Sequence, residues 1–323
     1  MTILVTGGAG FIGSHLCESL LQDGHAVLAL DNFDPFYDPA IKRTNLDLLK
    51  PWAKFQFVEG DIRDKAVFQQ IFSKNKIDAV IHLAAKAGVR PSILQPVEYN
   101  DVNVNGTLQL LEAMTEASVP LLLFASSSSV YVNQEKTPFS ETDEVNNPIS
   151  PYAATKRAGE LLCYTYHHLY KLEIACLRLF TVYGPRQRPD LAIHKFAHLA
   201  LEKKPIPLYG DGRTRRDYTF VSDIVAGIRQ VLELQQLGYE IFNLGGGAPV
   251  TLMEMVEALE QALGRPLEKQ FMEKQPGDVD QTFADVSKAQ AAFGYAPQVR
   301  LAKGVRLFAE WFYGDHPSYG LKP

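Results

Sequence analysis

Thr2-Ile3-Leu4-Val5-Thr6-Gly7-Gly8-Ala9-Gly10-Phe11-Ile12-Gly13 stands at the head of the chain, and its reading decides the fold. The run Thr2–Thr6 predicts a strand that passes directly into a glycine turn and then into a helix from Ile12 to Gln22. Such a turn needs Gly7 for the tight bend, Gly10 so that backbone can approach a pyrophosphate, and Gly13 for close helix packing. The helix start, at Phe11 and Ile12, offers free N–H groups to an anion. Asp31 follows at the end of the next predicted strand, where an acidic side chain grips an adenosine ribose and repels a 2′-phosphate, so NAD is favoured over NADP. Arg43 lies too far along to act as a 2′-phosphate clamp. Asp61 and Ile62, just past the third predicted strand, either cap a helix at Lys65 or contact adenine; both readings stand.

Working outward, apolar runs predict strands at Thr2–Thr6, Ala26–Leu30, Phe55–Glu59, Ala79–His82, Leu121–Ala125 and Glu173–Leu179, with helices beginning near Phe11, Lys65, Val97 and Tyr152. Strands separated by helices specify right-handed crossovers and a parallel sheet covered on both faces, the doubly wound α/β (Rossmann) class. After about residue 180 the chain becomes richer in proline, glycine and charge, with helical patterns only at Ile193–Glu202 and Leu252–Leu263. The expected division is a dinucleotide-binding domain over 1–180 and a smaller substrate-binding domain over 181–323. Tyr218–Val225 and Ile241–Leu244 are candidates to return to the large sheet near 216–245, which makes the second domain discontinuous in sequence.

A length of 323 residues supports two such units, and 46% hydrophobic with 21% charged residues excludes disordered, collagen-like and disulfide-scaffold classes. The formal charge of −5 provides no overall positive field for a nucleic acid or an anionic membrane. Three cysteines, Cys17, Cys163 and Cys176, form neither a disulfide framework nor a zinc signature. No apolar run approaches the roughly 20 residues of a membrane span. The N-terminus enters a strand at once, leaving no room for a secretion signal, so a cytoplasmic protein is expected. His82 and the pair His167-His168 invite a metal reading, but a strand end and two adjacent helical residues make no ligand set, and no metal is expected.

Tyr152 and Lys156 are four residues apart on the helix after Pro151, which puts both on one face. A phenol with a pKa near 10 is a poor base at neutral pH, and a neighbouring ammonium favours its ionised form. The serine run Ser126–Ser129 ends a strand expected to abut the cofactor.

TGGAGFIG (6–13), DNFD (31–34), GDI (60–62), HLAAKAGVRPS (82–92), SSSSVY (126–131) and YAATK (152–156), in this order and spacing, resemble the extended short-chain dehydrogenase/reductase family of sugar-nucleotide enzymes, the NAD-dependent epimerases and dehydratases. The resemblance runs from Met1 to at least Asp285. It implies that Tyr152 abstracts a sugar hydroxyl proton while NAD takes a hydride from carbon, that Ser127 hydrogen-bonds the reacting oxygen, and that Lys156 also holds the nicotinamide ribose. It further implies cofactor contacts at Asn32, Lys86 and Asn103.

Members of this family begin by oxidising C4, and the residues beside Ser127 separate their later steps. Dehydratases carry acids directly after the Ser/Thr, because elimination needs a general acid and base, and decarboxylases carry a glutamate at the position of Ser129. This chain has Ser128 and Ser129, which leaves 4-epimerisation as the simplest outcome. In Leu179–Asp190, Thr181 replaces the asparagine usual in UDP-glucose epimerases. With Arg188 it suits a C6 carboxylate, since a guanidinium can donate two parallel hydrogen bonds. This segment and Phe33–Leu46 are similar to those of epimerases acting on UDP-glucuronate. By the same resemblance Ser128 and Arg90 contact substrate, Arg90 at phosphate or carboxylate. Arg216 of the cluster Arg213, Arg215 and Arg216 meets the diphosphate, and Asp278 in Gln275–Asp278 accepts from the uridine ribose. The alternatives are a 4-epimerase of UDP-glucose or UDP-N-acetylhexosamine, a decarboxylase or dehydratase, and a non-catalytic NAD-binding regulator, against which intact Tyr152, Lys156 and Ser127 count. A homodimer is expected by analogy, through the helices beginning near Val97 and Tyr152.

Overall fold

The computed structural model describes residues 1–131, 134, 136–274 and 279–314. In chain order its strands are β1 (Thr2–Thr6), β2 (Ala26–Asp31), β3 (Phe55–Glu59), β4 (Ala79–His82), β5 (Leu121–Ser127), β6 (Glu173–Leu179) and β7 (Thr181–Tyr183). There follow β8 (Ile206–Tyr209), β9 (Arg215–Arg216), β10 (Tyr218–Phe220), β11 (Tyr239–Leu244), β12 (Val250–Thr251) and β13 (Lys269–Met272). Seven of them pair in parallel in the order β3-β2-β1-β4-β5-β6-β11. The order reverses between β1 and β4, and a crevice opens at the carboxyl ends of strands flanking such a switch point.

The period of two along each strand supplies both faces of this sheet. Ile3 and Val5 pack into one buried cluster with Leu16 and Leu20 of the Phe11–Gln22 helix. Leu4 and Leu28 point into the opposite cluster with Phe68, Leu110 and Ile174. The first cluster continues without interruption through Val182, Ile193 and Phe220 to Met255 and Phe308, so one apolar core joins the sheet to the C-terminal elements.

Those elements build small sheets of their own: β7 pairs with β10, β8 with β13, and β9 with β12. Within the candidate returning segments, Tyr239–Leu244 does join the large sheet, beside β6. Tyr218–Phe220 instead pairs with Thr181–Tyr183, and Val221–Leu232 is a helix whose apolar face enters the core.

Local chemistry fixes the helix that matters most, Pro151–Tyr170. The Ser150 side chain accepts from the Ala153 N–H, Pro151 occupies the first turn, and Lys171 ends the helix in a left-handed conformation at φ 60°. A second helix, Pro39–Asp47, opens in the same way, with the Asp38 side chain accepting from Ala40 N–H and Pro39 in the first turn.

Candidate active site

The turn after β1 is built around backbone contact. Gly7 has φ 71°, and a Cβ there would come within 2.8 Å of the Ala84 nitrogen, while a Cβ on Gly13 would lie 2.1 Å from the Gly7 carbonyl oxygen. The Gly7 N–H donates to Leu30 O at 2.7 Å, which ties the turn to β2. Gly10 precedes the helix with no side-chain cap, so the helix start keeps its N–H donors for an external acceptor. Asp31 is buried at the end of β2, with Oδ2 accepting from Ala9 N–H (3.3 Å) and Oδ1 from Phe33 N–H (2.9 Å) and from Lys42 Nζ (3.3 Å). Asn32 donates to Asp61, whose carboxyl the Arg63 guanidinium holds down at about 2. Glycine backbone, a helix start and an acid at the second strand end fit a dinucleotide: the close contacts at Gly7 and Gly13 exclude a side chain from the turn a pyrophosphate approaches.

At the other end of the cavity, three residues of the Pro151–Tyr170 helix meet the end of β5. Tyr152 shares a hydrogen bond with Ser127, and the Lys156 ammonium donates to Ala125 O at 2.7 Å while lying 5.1 Å over the Phe124 ring. Gly159 lets the helix come this close, since a Cβ there would fall 2.4 Å from the Phe124 ring. Burial pushes the Tyr152 phenol above its ordinary value, and the Ser127 hydrogen bond and the Arg188 positive charge pull it back. The sequence suggested Lys156 as the acidifying neighbour; in the fold its ammonium is committed to the strand carbonyl, and the cation acting on the phenol is Arg188. Burial lowers Lys156 itself to about 8.

One cavity wall brings together Gly7, Gly10, Phe11, Ile12 and Gly13 with Asp31, Asn32, Asp61, Ile62 and Lys86, and with Ser127, Ser128, Tyr152, Lys156, Thr181 and Arg188. Of the described residues predicted for the site, Asn103, Arg90 and Arg216 stand outside that wall. Asn103 is buried and pins the Lys86 backbone, accepting its N–H at 2.8 Å and donating to its carbonyl at 2.9 Å, with Thr155 Oγ1 at 3.0 Å. Arg90 stacks on the Tyr209 ring at 4.3 Å. Arg216 Nη1 donates to Arg215 O, Arg215 donates to Pro249 O, and Arg213 pairs with Asp211. Asp278 lies outside the described residues.

The structure adds residues that sequence reading missed. Lys42 joins the wall, paired with Asp31. Asp190 grips Arg188. Asp217 is buried and its side chain accepts from the Gly246, Gly247 and Ala284 N–H groups, fixing the junction at which its backbone carbonyl accepts the Thr181 N–H of β7 at 3.1 Å. The signals were faint: Lys42 lies on the mostly polar Pro39–Asp47 helix, Asp190 in a charged loop, and Asp217 directly after the arginine cluster. His82 is held between Thr6 Oγ1 (2.6 Å) and Thr107 Oγ1 (3.1 Å), and His167 faces the Leu172 carbonyl.

A parallel sheet whose switch point carries a glycine cradle, with a tyrosine and lysine one helical turn apart against a serine-bearing strand end, defines an enzyme of the short-chain dehydrogenase/reductase type. The family model described as "NAD dependent epimerase/dehydratase family" matches residues 3–245, and the chain belongs to that family. It is 45% identical over 309 residues, 95% of each chain, to a UDP-glucuronate 4-epimerase of Thermodesulfobacterium geofontis. The solved UDP-glucuronic acid 4-epimerase of Bacillus cereus, in complex with UDP-glucuronic acid and NAD, superposes with a TM-score of 0.89 at 38% identity, over 97% of this chain and 99% of that one. A UDP-glucose 4-epimerase of Thermotoga maritima, with UDP-glucose, gives 0.88 at 33% identity, over 97% and 98%.

Proposed function

We propose that this protein is an NAD-dependent 4-epimerase that interconverts UDP-glucuronate and UDP-galacturonate. The observation that carries the reading is the composition of the reacting end of the cavity. Tyr152, Ser127, Thr181 and Arg188 line the same cavity, Ser128 and Ser129 follow Ser127, and Asp190 is engaged by Arg188. No uncommitted carboxylate therefore stands next to Ser127 among the described residues to drive elimination.

When bound, NAD supplies a hydride acceptor for C4 and the same hydride for return to the opposite face. The chain does the rest. Tyr152 takes the O4 proton and later gives it back, and Ser127 holds the same oxygen through its hydroxyl. Lys156, fixed by Ala125 O, presents its remaining donors to the nicotinamide ribose. A 4-keto glucuronate is a β-keto acid that loses CO2 when its carboxylate aligns with the carbonyl π-system. Thr181 and Arg188 anchor the carboxylate out of that alignment. The Arg188 bonds to Asp190 use Nε and Nη2, so the Nη1 donors are the ones offered to substrate. Arg216 and Asp278 serve the diphosphate and the uridine ribose, Arg90 the phosphate or carboxylate end, and Asn32, Asp61, Ile62, Lys86 and Asn103 shape the cofactor site directly or through the backbone.

The same reading divides the chain into a cofactor domain over 1–180, with returns between 216 and 245, and a nucleotide-sugar domain over 181–323. It makes the protein a cytoplasmic homodimer. In support, Leu94 and Val97 are 84% and 81% exposed, Leu161 and Tyr164 of the Pro151–Tyr170 helix are exposed too, and the helices carrying the first two pack against that helix, which offers apolar surface for a second copy to cover. Among the described residues no helix is long and apolar enough to cross a membrane. Incubation of the purified protein with UDP-glucuronate, followed by NMR of the products, tests the function: UDP-galacturonate without pentose supports it, and UDP-xylose or unchanged substrate redirects it.

A further inference from the structure

Beneath the reacting end of the cavity lies an ion pair that the chemistry above does not use. Arg178 of β6 donates from Nε to Glu160 Oε1 and from Nη2 to Glu160 Oε2, each at 2.8 Å, and the two side chains are 1% and 0% exposed. Glu160 Oε1 also accepts from Ser126 Oγ at 2.6 Å. Glu160 lies one turn beyond Lys156, which lies one turn beyond Tyr152, so the three share one face of the Pro151–Tyr170 helix. Down that face Tyr152 meets Ser127, Lys156 meets Ala125 O, and Glu160 meets Ser126 Oγ. Three consecutive residues at the end of β5 are thus held by three helical residues at a regular spacing.

The grip continues through Arg178, the register partner of Ser126. The Arg178 guanidinium lies 4.6 Å over the Tyr131 ring, which closes the serine turn Ser128–Tyr131, and Tyr131 donates to Asn243 Oδ1 at 2.7 Å. Apolar packing alone permits a strand end to slide by fractions of an ångström, whereas short charge-assisted hydrogen bonds in a dry interior fix distance and direction. As a source of net stability such a buried pair is weak, because an apolar pair of similar volume does as well or better. Its directional bonds are what an apolar replacement lacks.

We propose that Glu160, with Arg178, is a positioning residue for the reaction: it fixes the register between the Pro151–Tyr170 helix and the end of β5, so that the Tyr152 phenol and the Ser127 hydroxyl converge on one substrate oxygen. Glu160 acts through Ser126 and touches neither substrate nor cofactor. The inference rests on the proposed reaction only in taking Tyr152 and Ser127 as its reacting groups.

The test uses the full-length protein and three substitutions. Ser126→Ala removes the serine–glutamate bond and leaves the ion pair intact. Ser126→Thr keeps the hydroxyl. The double variant Glu160→Gln/Arg178→Met removes the charges and fills the space, since Glu160→Gln alone strands a buried guanidinium. Melting temperature, kcat and KM are measured for each, with whichever UDP-hexose the wild-type protein turns over. Turnover by the wild type decides the proposed substrate; the ratios between variants and wild type decide the register. We expect Ser126→Ala to melt near the wild type with KM unchanged and kcat lowered roughly 10- to 100-fold, the scale of a small misplacement at a reacting centre. Ser126→Thr restores most of that rate, and the folded double variant loses at least as much as Ser126→Ala. Wild-type kcat in Ser126→Ala overturns the proposal whether or not the double variant folds, as does a loss confined to KM.

Discussion

Asp190 holds Arg188 in a bidentate grip, Nε to Oδ1 at 2.9 Å and Nη2 to Oδ2 at 2.7 Å, two residues apart on the loop that lines the reacting end of the cavity. The grip aims one guanidinium edge and leaves the Nη1 donors outside it, where the proposed function places a carboxylate, with the Phe36 ring 5.1 Å away to limit tilting. Arg188→Ala removes that anchor. We expect KM for UDP-glucuronate to rise about 10- to 100-fold, the worth of a charged hydrogen bond, and a decarboxylated pentose product to appear by NMR. Arg188→Lys restores charge without the fork and recovers only part of the loss.

Tyr152→Phe keeps the half-buried ring in place and removes the hydroxyl that Ser127 bonds. Loss of a positioned general base lowers kcat by about 100- to 10,000-fold, with the melting temperature near that of the wild type. Steady-state kinetics beside a thermal melt separate this from misfolding.

Lys156 titrates far below a free lysine, at about 8, because burial disfavours its ammonium. Its protonated form donates to Ala125 O and carries a positive charge with two further donors for the nicotinamide ribose of the proposed cofactor. As pH rises through about 8 that charge is lost, so kcat is expected to decline on the alkaline side beginning near pH 8 rather than near 10.5. A pH–rate profile that stays flat to pH 10 contradicts this assignment.

A Cβ on Gly13 would stand 2.1 Å from the Gly7 carbonyl oxygen, a contact with backbone that no rotamer relieves. Gly13→Ala is expected to lower stability by about 1–3 kcal/mol, as overpacking does, and to reduce the NAD retained on purification. Differential scanning calorimetry and cofactor content at release by acid check the two effects separately.

Leu94, Val97, Leu161 and Tyr164 are all exposed, and the short helices that carry Leu94 and Val97 pack against the Pro151–Tyr170 helix. Leu94→Asp/Val97→Asp places charges on the surface that the proposed dimer buries, and sedimentation is expected to show a shift from dimer to monomer. A wild-type protein that already sediments as a monomer removes the homodimer from the account.

The strands β1 to β6 were legible because each is a short apolar run bounded by turn residues, and a parallel sheet buried on both faces writes exactly such runs into sequence. The Pro39–Asp47 helix was not, because its residues are mostly polar and the cue to its start is the local Asp38-Pro39 pair. The pairing of Tyr218–Phe220 with Thr181–Tyr183 joins segments distant in sequence, and an apolar triplet does not name its partner. In the site, Tyr152, Lys156, Ser127 and the glycines could be read from motif and spacing. Glu160 and Arg178 could not: a glutamate on a helix and an arginine in a strand read as solvated charges until the fold buries them against each other. The source of the charge acting on Tyr152 was hidden for the same reason, since Arg188 approaches it only through tertiary structure.

The central claim is that C4 of the sugar is oxidised and reduced again within one closed site, with Tyr152 handling the proton. It is tested most directly with UDP-glucuronate carrying deuterium at C4, incubated with the purified protein and followed by NMR. The account predicts UDP-galacturonate with the deuterium still at C4, because the hydride leaves and returns without meeting solvent. Deuterium exchanged into water, or a labelled substrate recovered unchanged by an intact, NAD-loaded protein, contradicts it.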